Sequence, residues 1–115
     1  MIKRRPVIVV SPKISLRPRL CTVVALSSSP PTPQMSYHCL LEIDPPLPEP
    51  WTGDNWVKGD MVNAVGFHRL DFIRLGKDTT GKRLYRYETL TPEQLRQVLH
   101  CLACGVGLAR LTDHL

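Results

Sequence analysis

The residues of this chain best suited to chemistry on a charged substrate lie near its start. Lys3, Arg4, Arg5, Lys13, Arg17 and Arg19 all precede Cys21, with no acidic residue among them. Such a cluster attracts a polyanion, either nucleic acid or an acidic partner segment. The same charges can equally form a solvated surface with no polyanion partner. Over the whole chain, 15 Lys and Arg stand against 10 Asp and Glu, a formal net charge of +5.

Three other constellations invite a chemical reading and each falls short. Gly76-Lys77-Asp78-Thr79-Thr80-Gly81-Lys82 fits the first seven positions of a phosphate-binding P-loop. The eighth position is Arg83 instead of the Ser or Thr that holds magnesium, and Leu84-Tyr85-Arg86-Tyr87 reads as a strand where a helix N-terminus is needed. An ordinary turn explains the segment better. His100, Cys101 and Cys104 suggest part of a zinc site, but a structural site needs four ligands and no second Cys pair is present, so no metal is expected. Small apolar residues are also what an amphipathic helix carries at those positions. His38 and His68 are the histidines best placed for acid–base work, although a lone histidine is more often structural or simply exposed. A Cys–His nucleophilic site has no local signature here.

Elements must position these residues, and 115 residues allow one domain with one core. The composition, 43% hydrophobic and 22% charged, is that of a globular chain. Eleven prolines favour short strands and loops over a helical bundle. No apolar run reaches the roughly 18 residues that span a bilayer. Val7 to Val10 is too short for the core of a signal peptide. The irregularly spaced cysteines do not form a disulfide framework, so a cytoplasmic protein with reduced thiols is expected.

Val7-Ile8-Val9-Val10, fenced by Pro6 and Pro12, predicts a strand buried on both faces. Further strands are predicted over 21–26, 37–43 and 56–65, with a proline-rich connection between the last two of these. Residues 72–75 and 83–87 flank the Gly-rich turn as a hairpin. Thr91 as N-cap, Pro92 at the first helical position and Gln94 three residues on open a helix of about 91–106. Leu95, Val98, Leu99, Leu102 and Val106 form its predicted apolar stripe. A mainly β small barrel with one helix packed on it follows.

The run Lys3-Arg4-Arg5-Pro6-Val7-Ile8-Val9-Val10-Ser11 resembles the region around the second strand of PemK/MazF-family toxins, where Arg-Pro precedes a run of valines. Thr22-Val23-Val24-Ala25-Leu26-Ser27-Ser28 is similar to that family's next strand, which ends in a hydroxyl residue. Trp56 to Val65, then Arg69-Leu70, looks like a late strand carrying an acidic residue, and Leu90 to Leu95 like the start of its closing helix. The order and spacing of these pieces carry the likeness over most of residues 3 to 107.

The resemblance implies an SH3-like barrel that forms a homodimer and cuts single-stranded RNA without a metal or other cofactor, as the toxin half of a toxin–antitoxin pair. In that chemistry a base takes the proton of a 2′-hydroxyl, which attacks the adjacent phosphate, and an acid protonates the leaving 5′-oxygen. On the matching positions Arg5 would stabilise the phosphoryl charge, Ser27 would hydrogen-bond the phosphate, and Asp60 would be the base. Lys3, Arg4, Lys58 and Arg69 would contact RNA, with Lys58 on the same strand face as Asp60. Plain structural alternatives stand beside these: Arg5 as basic surface, Ser27 opening the proline loop, Asp60 pairing with Lys58 or Arg69. Against the family pattern, the first strand and the loop covering the site are missing ahead of Arg5. The alternatives to a nuclease are a non-catalytic RNA- or peptide-binding module and an inactive truncated remnant.

Overall fold

The computed structural model describes residues 4–11, 19–108 and 110. Lys3, Lys13 and Arg17 lie outside the described residues. Four segments form an antiparallel sheet: β1 (Val7–Val9), β2 (Leu20–Ser27), β3 (His38–Leu41) and β4 (Asn55–Gly66), in the order β1-β2-β4-β3. A separate two-stranded hairpin, β5 (Arg74–Lys77) and β6 (Arg83–Tyr85), precedes the single long helix α1 (Pro92–Gly105).

The sheet curls because β4 is longer than its partner requires. Between the pairs Val24↔Val62 and Leu26↔Val57, β2 advances by two residues while β4 advances by five. Surplus residues on one strand bend it and sharpen the local twist, so the sheet wraps into a half-barrel. Its concave face buries Ile8, Val24, Leu26, Leu41 and Val57, joined by Leu47 from the proline-rich connection and by Val98 and Cys101 of α1. The mainly β half-barrel with a terminal helix is the architecture expected from the sequence.

Two details differ from expectation. β1 is an edge strand, paired only with β2 among the described residues, and Val9 is 51% exposed. A β-branched run looks the same whether one face or both are covered; here Ile8 and Val10 meet the core and Val9 faces away from it. The middle of the predicted helix stripe holds and its ends do not: Val98 is buried and Leu102 packs on the core, Leu95 and Val106 are exposed, and Cys101 joins the buried positions. The cause is close packing. A Cβ on Gly59 of β4 would stand 2.1 Å from the Cys101 carbonyl oxygen, and one on Gly105 would stand 2.5 Å from the Gly59 carbonyl oxygen. Backbone meets backbone there, so Cys101 and Gly105 take the contact, with Leu102 packed on the core beside them.

The start of α1 follows the sequence signal closely. Thr91 Oγ1 accepts from the Gln94 N–H at 3.1 Å, and Gln94 Oε1 accepts from the Thr91 N–H at 3.1 Å. Both donors would otherwise lack a helical partner.

A cationic cleft at the end of the second strand

The backbone N–H of Leu26 donates to the Pro6 carbonyl at 3.0 Å, extending the β1–β2 pairing by one bond toward the chain start. That bond brings Arg4 and Arg5 alongside the point where β2 ends and Ser27-Ser28-Ser29 begins. With Trp51 and Asn55 these residues line a cleft of about 110 Å³. Both arginines are exposed. The cleft therefore carries two permanent cations facing three serine hydroxyls, a set that can hold a phosphodiester by charge and by O–H donation.

Ser27 reconciles its two readings. Its Oγ accepts the Ser29 N–H at 3.2 Å, which shapes the turn into the proline-rich loop. The hydroxyl proton is a separate resource and can still be donated to a phosphate oxygen.

Asn55 is the buried polar residue of the core, 8% exposed, with Nδ2 donating to the Gly53 carbonyl at 3.1 Å. It also borders a second cleft of about 280 Å³, where Glu42 and Asp54 supply carboxylates beside Leu40, Ile43 and Thr52. Trp56, its neighbour on β4, lies opposite Ser27 and Leu40 in register and holds an indole N–H away from water without a hydrogen-bond partner.

Of the residues singled out from the sequence, Arg4, Arg5 and Ser27 come together in this cleft. Lys58, Asp60 and Arg69 do not line it. Lys58 is half-buried opposite His38, Asp60 is exposed in the irregular stretch of β4, and Arg69 is exposed in a short 3-10 turn, Phe67–Arg69. Lys58 and Asp60 flank Gly59, which packs under α1. Trp51 and Asn55 were missed from sequence because they sit in a stretch that reads as connection. The cue was an aromatic and an amide bracketing Gly53-Asp54 just before a strand.

The competing constellations resolve physically. In the P-loop look-alike, the Asp78 carboxylate accepts from the N–H groups of Thr80 and Lys82, each at 2.9 Å, and from the Thr80 hydroxyl at 2.6 Å. A carboxylate thus occupies the cradle that a phosphate would need. Those bonds, the Thr80 hydroxyl first, hold the Asp78 carboxyl below its ordinary range. The buried Cys101 thiol is pushed far upward by its hydrogen bond to Cys39 and by burial, so it stays protonated and unreactive. Cys104 Sγ lies 3.9 Å from His100 Nδ1. Among the described residues, no three His, Cys, Asp or Glu side chains converge as metal ligands.

Among the described residues the fold is a curled β half-barrel with one C-terminal helix, and an arginine–serine cleft lies at the end of β2. Residues 1–104 match the family described as PemK-like, MazF-like toxin of type II toxin-antitoxin system, and the chain belongs to that family. Comparison with curated proteins gave no match, and neither did comparison with solved structures. No helix among the described residues is long and apolar enough to cross a membrane.

Proposed function

We propose that the protein is a metal-independent endoribonuclease toxin that cleaves single-stranded RNA at the Arg5–Ser27 cleft and is neutralised by a cognate antitoxin. The observation that carries this reading is the meeting of Arg4, Arg5 and Ser27, far apart in sequence, in one exposed cleft. Membership of a toxin family supports the reading, and the resemblance implies the reaction class. Arg5 offsets the charge that builds on the phosphoryl oxygens during 2′-hydroxyl attack, and Ser27 donates to one of them. Arg4 and, from the resemblance, Lys3, Lys58 and Arg69 hold the flanking backbone. A second copy of the chain and the antitoxin are the proposed protein partners, with the cytoplasm the proposed compartment.

A base must reach the 2′-hydroxyl within hydrogen-bond distance. The resemblance assigns that role to Asp60, which stands outside the cleft and would have to be carried to it by the bound RNA or by a second copy. Asp54, next to Asn55, borders the neighbouring cleft together with Glu42 and is the nearer of the two in sequence to the residues of the Arg5 cleft. Single-turnover cleavage by Asp54→Asn and Asp60→Asn separates the two, since only loss of the true base removes the dependence of rate on a carboxylate.

The experiment is incubation of the protein with single-stranded RNA in the presence of a chelator. Wild type should cut to products ending in a 2′,3′-cyclic phosphate, and Arg5→Ala should lower the rate at least a hundredfold, the loss typical of one transition-state donor. No cutting by wild type, with RNA binding retained, would favour a non-catalytic module instead.

A further inference from the structure

The β5–β6 hairpin has no role in the site described above, yet its surface has a distinct chemistry. All four residues of β5 are exposed, as are Arg83 and Leu84 of β6, so neither face of the ribbon is fully covered by the rest of the chain. Arg74, Lys77, Lys82 and Arg83 are spread along it, Arg74 opposite Tyr85 and Lys77 opposite Arg83 in register. Next to the open end of the ribbon, Phe72 and Tyr87 are 64% and 66% exposed, large values for aromatic rings with no covering element. Their centroids lie 4.9 Å apart at 65°, and Tyr85 stands 6.5 Å from Tyr87.

We infer that this hairpin is a second single-stranded RNA contact, in which Phe72 and Tyr87 stack on bases while Arg74, Lys77, Lys82 and Arg83 follow the phosphates. Single strands are held without sequence readout by aromatic platforms set among cations, because every base has a π-face and every linkage a charge. Charge decides the occupant. Four cations stand along the ribbon against Asp71 and Glu88 beside the aromatic pair, and the turn carboxylate, Asp78, already serves backbone and hydroxyl donors. An apolar partner would have to desolvate those lysines and arginines, whereas RNA pairs with them.

The position suits an extended substrate. Ile73 packs on the core, the Arg86 N–H donates to the Ile73 carbonyl at 2.8 Å, and the Arg86 guanidinium donates to the Pro45 carbonyl. The ribbon is thereby fixed at its base to the connection whose later residues, Trp51 and Asn55, border the Arg5 cleft. The inference extends the nuclease reading to a longer RNA footprint, and its binding component stands or falls separately.

The test is fluorescence anisotropy with a labelled single-stranded RNA of mixed sequence, roughly 20 nucleotides long, titrated at several salt concentrations. Tyr87→Ala should weaken binding roughly tenfold, Tyr87→Phe should restore it, and Arg74→Ala with Arg83→Ala should reduce the salt slope by about 2. Arg96→Ala, an exposed cation on α1, serves as the control and should leave affinity unchanged. Unchanged affinity in Tyr87→Ala overturns the proposal. So does a change of oligomeric mass in that variant without loss of affinity, which would make the hairpin a contact between copies. Binding that depends on the hairpin in a protein that never cuts would sink the nuclease reading and leave this one standing. Cutting with hairpin-independent binding would do the reverse.

Discussion

Replacing Gly59 with alanine tests the packing that holds the half-barrel closed. The new Cβ would stand 2.1 Å from the Cys101 oxygen, 2.3 Å from the Cys101 carbon and 2.8 Å from the Leu102 nitrogen, all backbone atoms of α1. None of these can swing aside as a flexible side chain would, so the helix must lift until the separation exceeds 3.4 Å. A gap of only about 0.5–1 Å already forfeits a quarter to a half of a dispersion contact, and this lift is at least that large. Val98 and Cys101, both buried, lose their fit against Val57 and Leu41 at the same time. The expected cost is about 3 kcal/mol, the upper part of the usual overpacking range. A domain of this size has roughly 5–15 kcal/mol in all, so the variant should fold but unfold early. With a denaturant slope of about 1.5 kcal/mol/M, the urea midpoint by far-UV circular dichroism should fall by roughly 2 M. Gly105→Ala strikes the same interface from the helix side, at 2.5 Å from the Gly59 oxygen, and the double variant should cost less than the two singles together. Gly53→Ala has nothing within 4 Å and should lie within about 0.5 kcal/mol of wild type. A Gly59→Ala midpoint equal to that of Gly53→Ala would refute the close-packing account.

Three further outcomes follow from the same structure. Thr91→Ala removes the side-chain half of the capping box, the acceptor of the Gln94 N–H, and should destabilise by about 1 kcal/mol in the same urea titration, with Thr91→Ser close to neutral. Asp78 has a depressed carboxyl, so its contribution to the turn is present above the ordinary carboxylate value of 3.8 and is lost as pH falls through the lower folded value. Protection of the Thr80 and Lys82 amides relative to their unstructured exchange rates should therefore fall in that acidic window, and Asp78→Ala should lack that protection above it. Arg5→Lys should recover less than a tenth of wild-type cleavage, because an ammonium cannot offer two parallel donors to the phosphoryl oxygens; recovery to wild-type rate would show that charge alone suffices.

Much of the fold is legible in the sequence because local signals and the final structure agree. The Thr91-Pro92-Glu93-Gln94 start appears as a complete capping box, and the Gly76–Gly81 turn joins two strands within a residue or two of their predicted bounds. What could not be read is set by tertiary packing. The helix face that turns inward depends on Gly59, which lies some forty residues earlier in the chain. Periodicity within α1 picks out Val98 and Leu102 but cannot reveal that a bare backbone is the neighbour, so the stripe it predicts takes in Leu95 and Val106 and leaves out Cys101. For β1, the run of valines specifies a strand but not how many neighbours the strand has.

The candidate site divides along the same line. Arg5 and Ser27 meet because antiparallel pairing sets Val7 against Ala25 and carries the residues before β1 to the end of β2. That register follows from strands already visible in the sequence, and so this half of the site was recoverable. Asp60 depended on β4 being regular, since an alternating strand would have set Lys58 and Asp60 together on one face. The surplus residues of β4 break that alternation, leaving Lys58 half-buried and Asp60 exposed on either side of Gly59. A bulge shifts what a strand presents without changing any residue type in it, which is why composition and spacing could nominate Asp60 but not position it. Asp60 lies in that irregular stretch, exposed and outside the cleft that Arg4 and Arg5 line. Asp54 precedes that stretch, on the segment that enters β4. For that reason Asp54→Asn, more than any substitution at the arginines, distinguishes a cleft that only holds RNA from one that also cuts it.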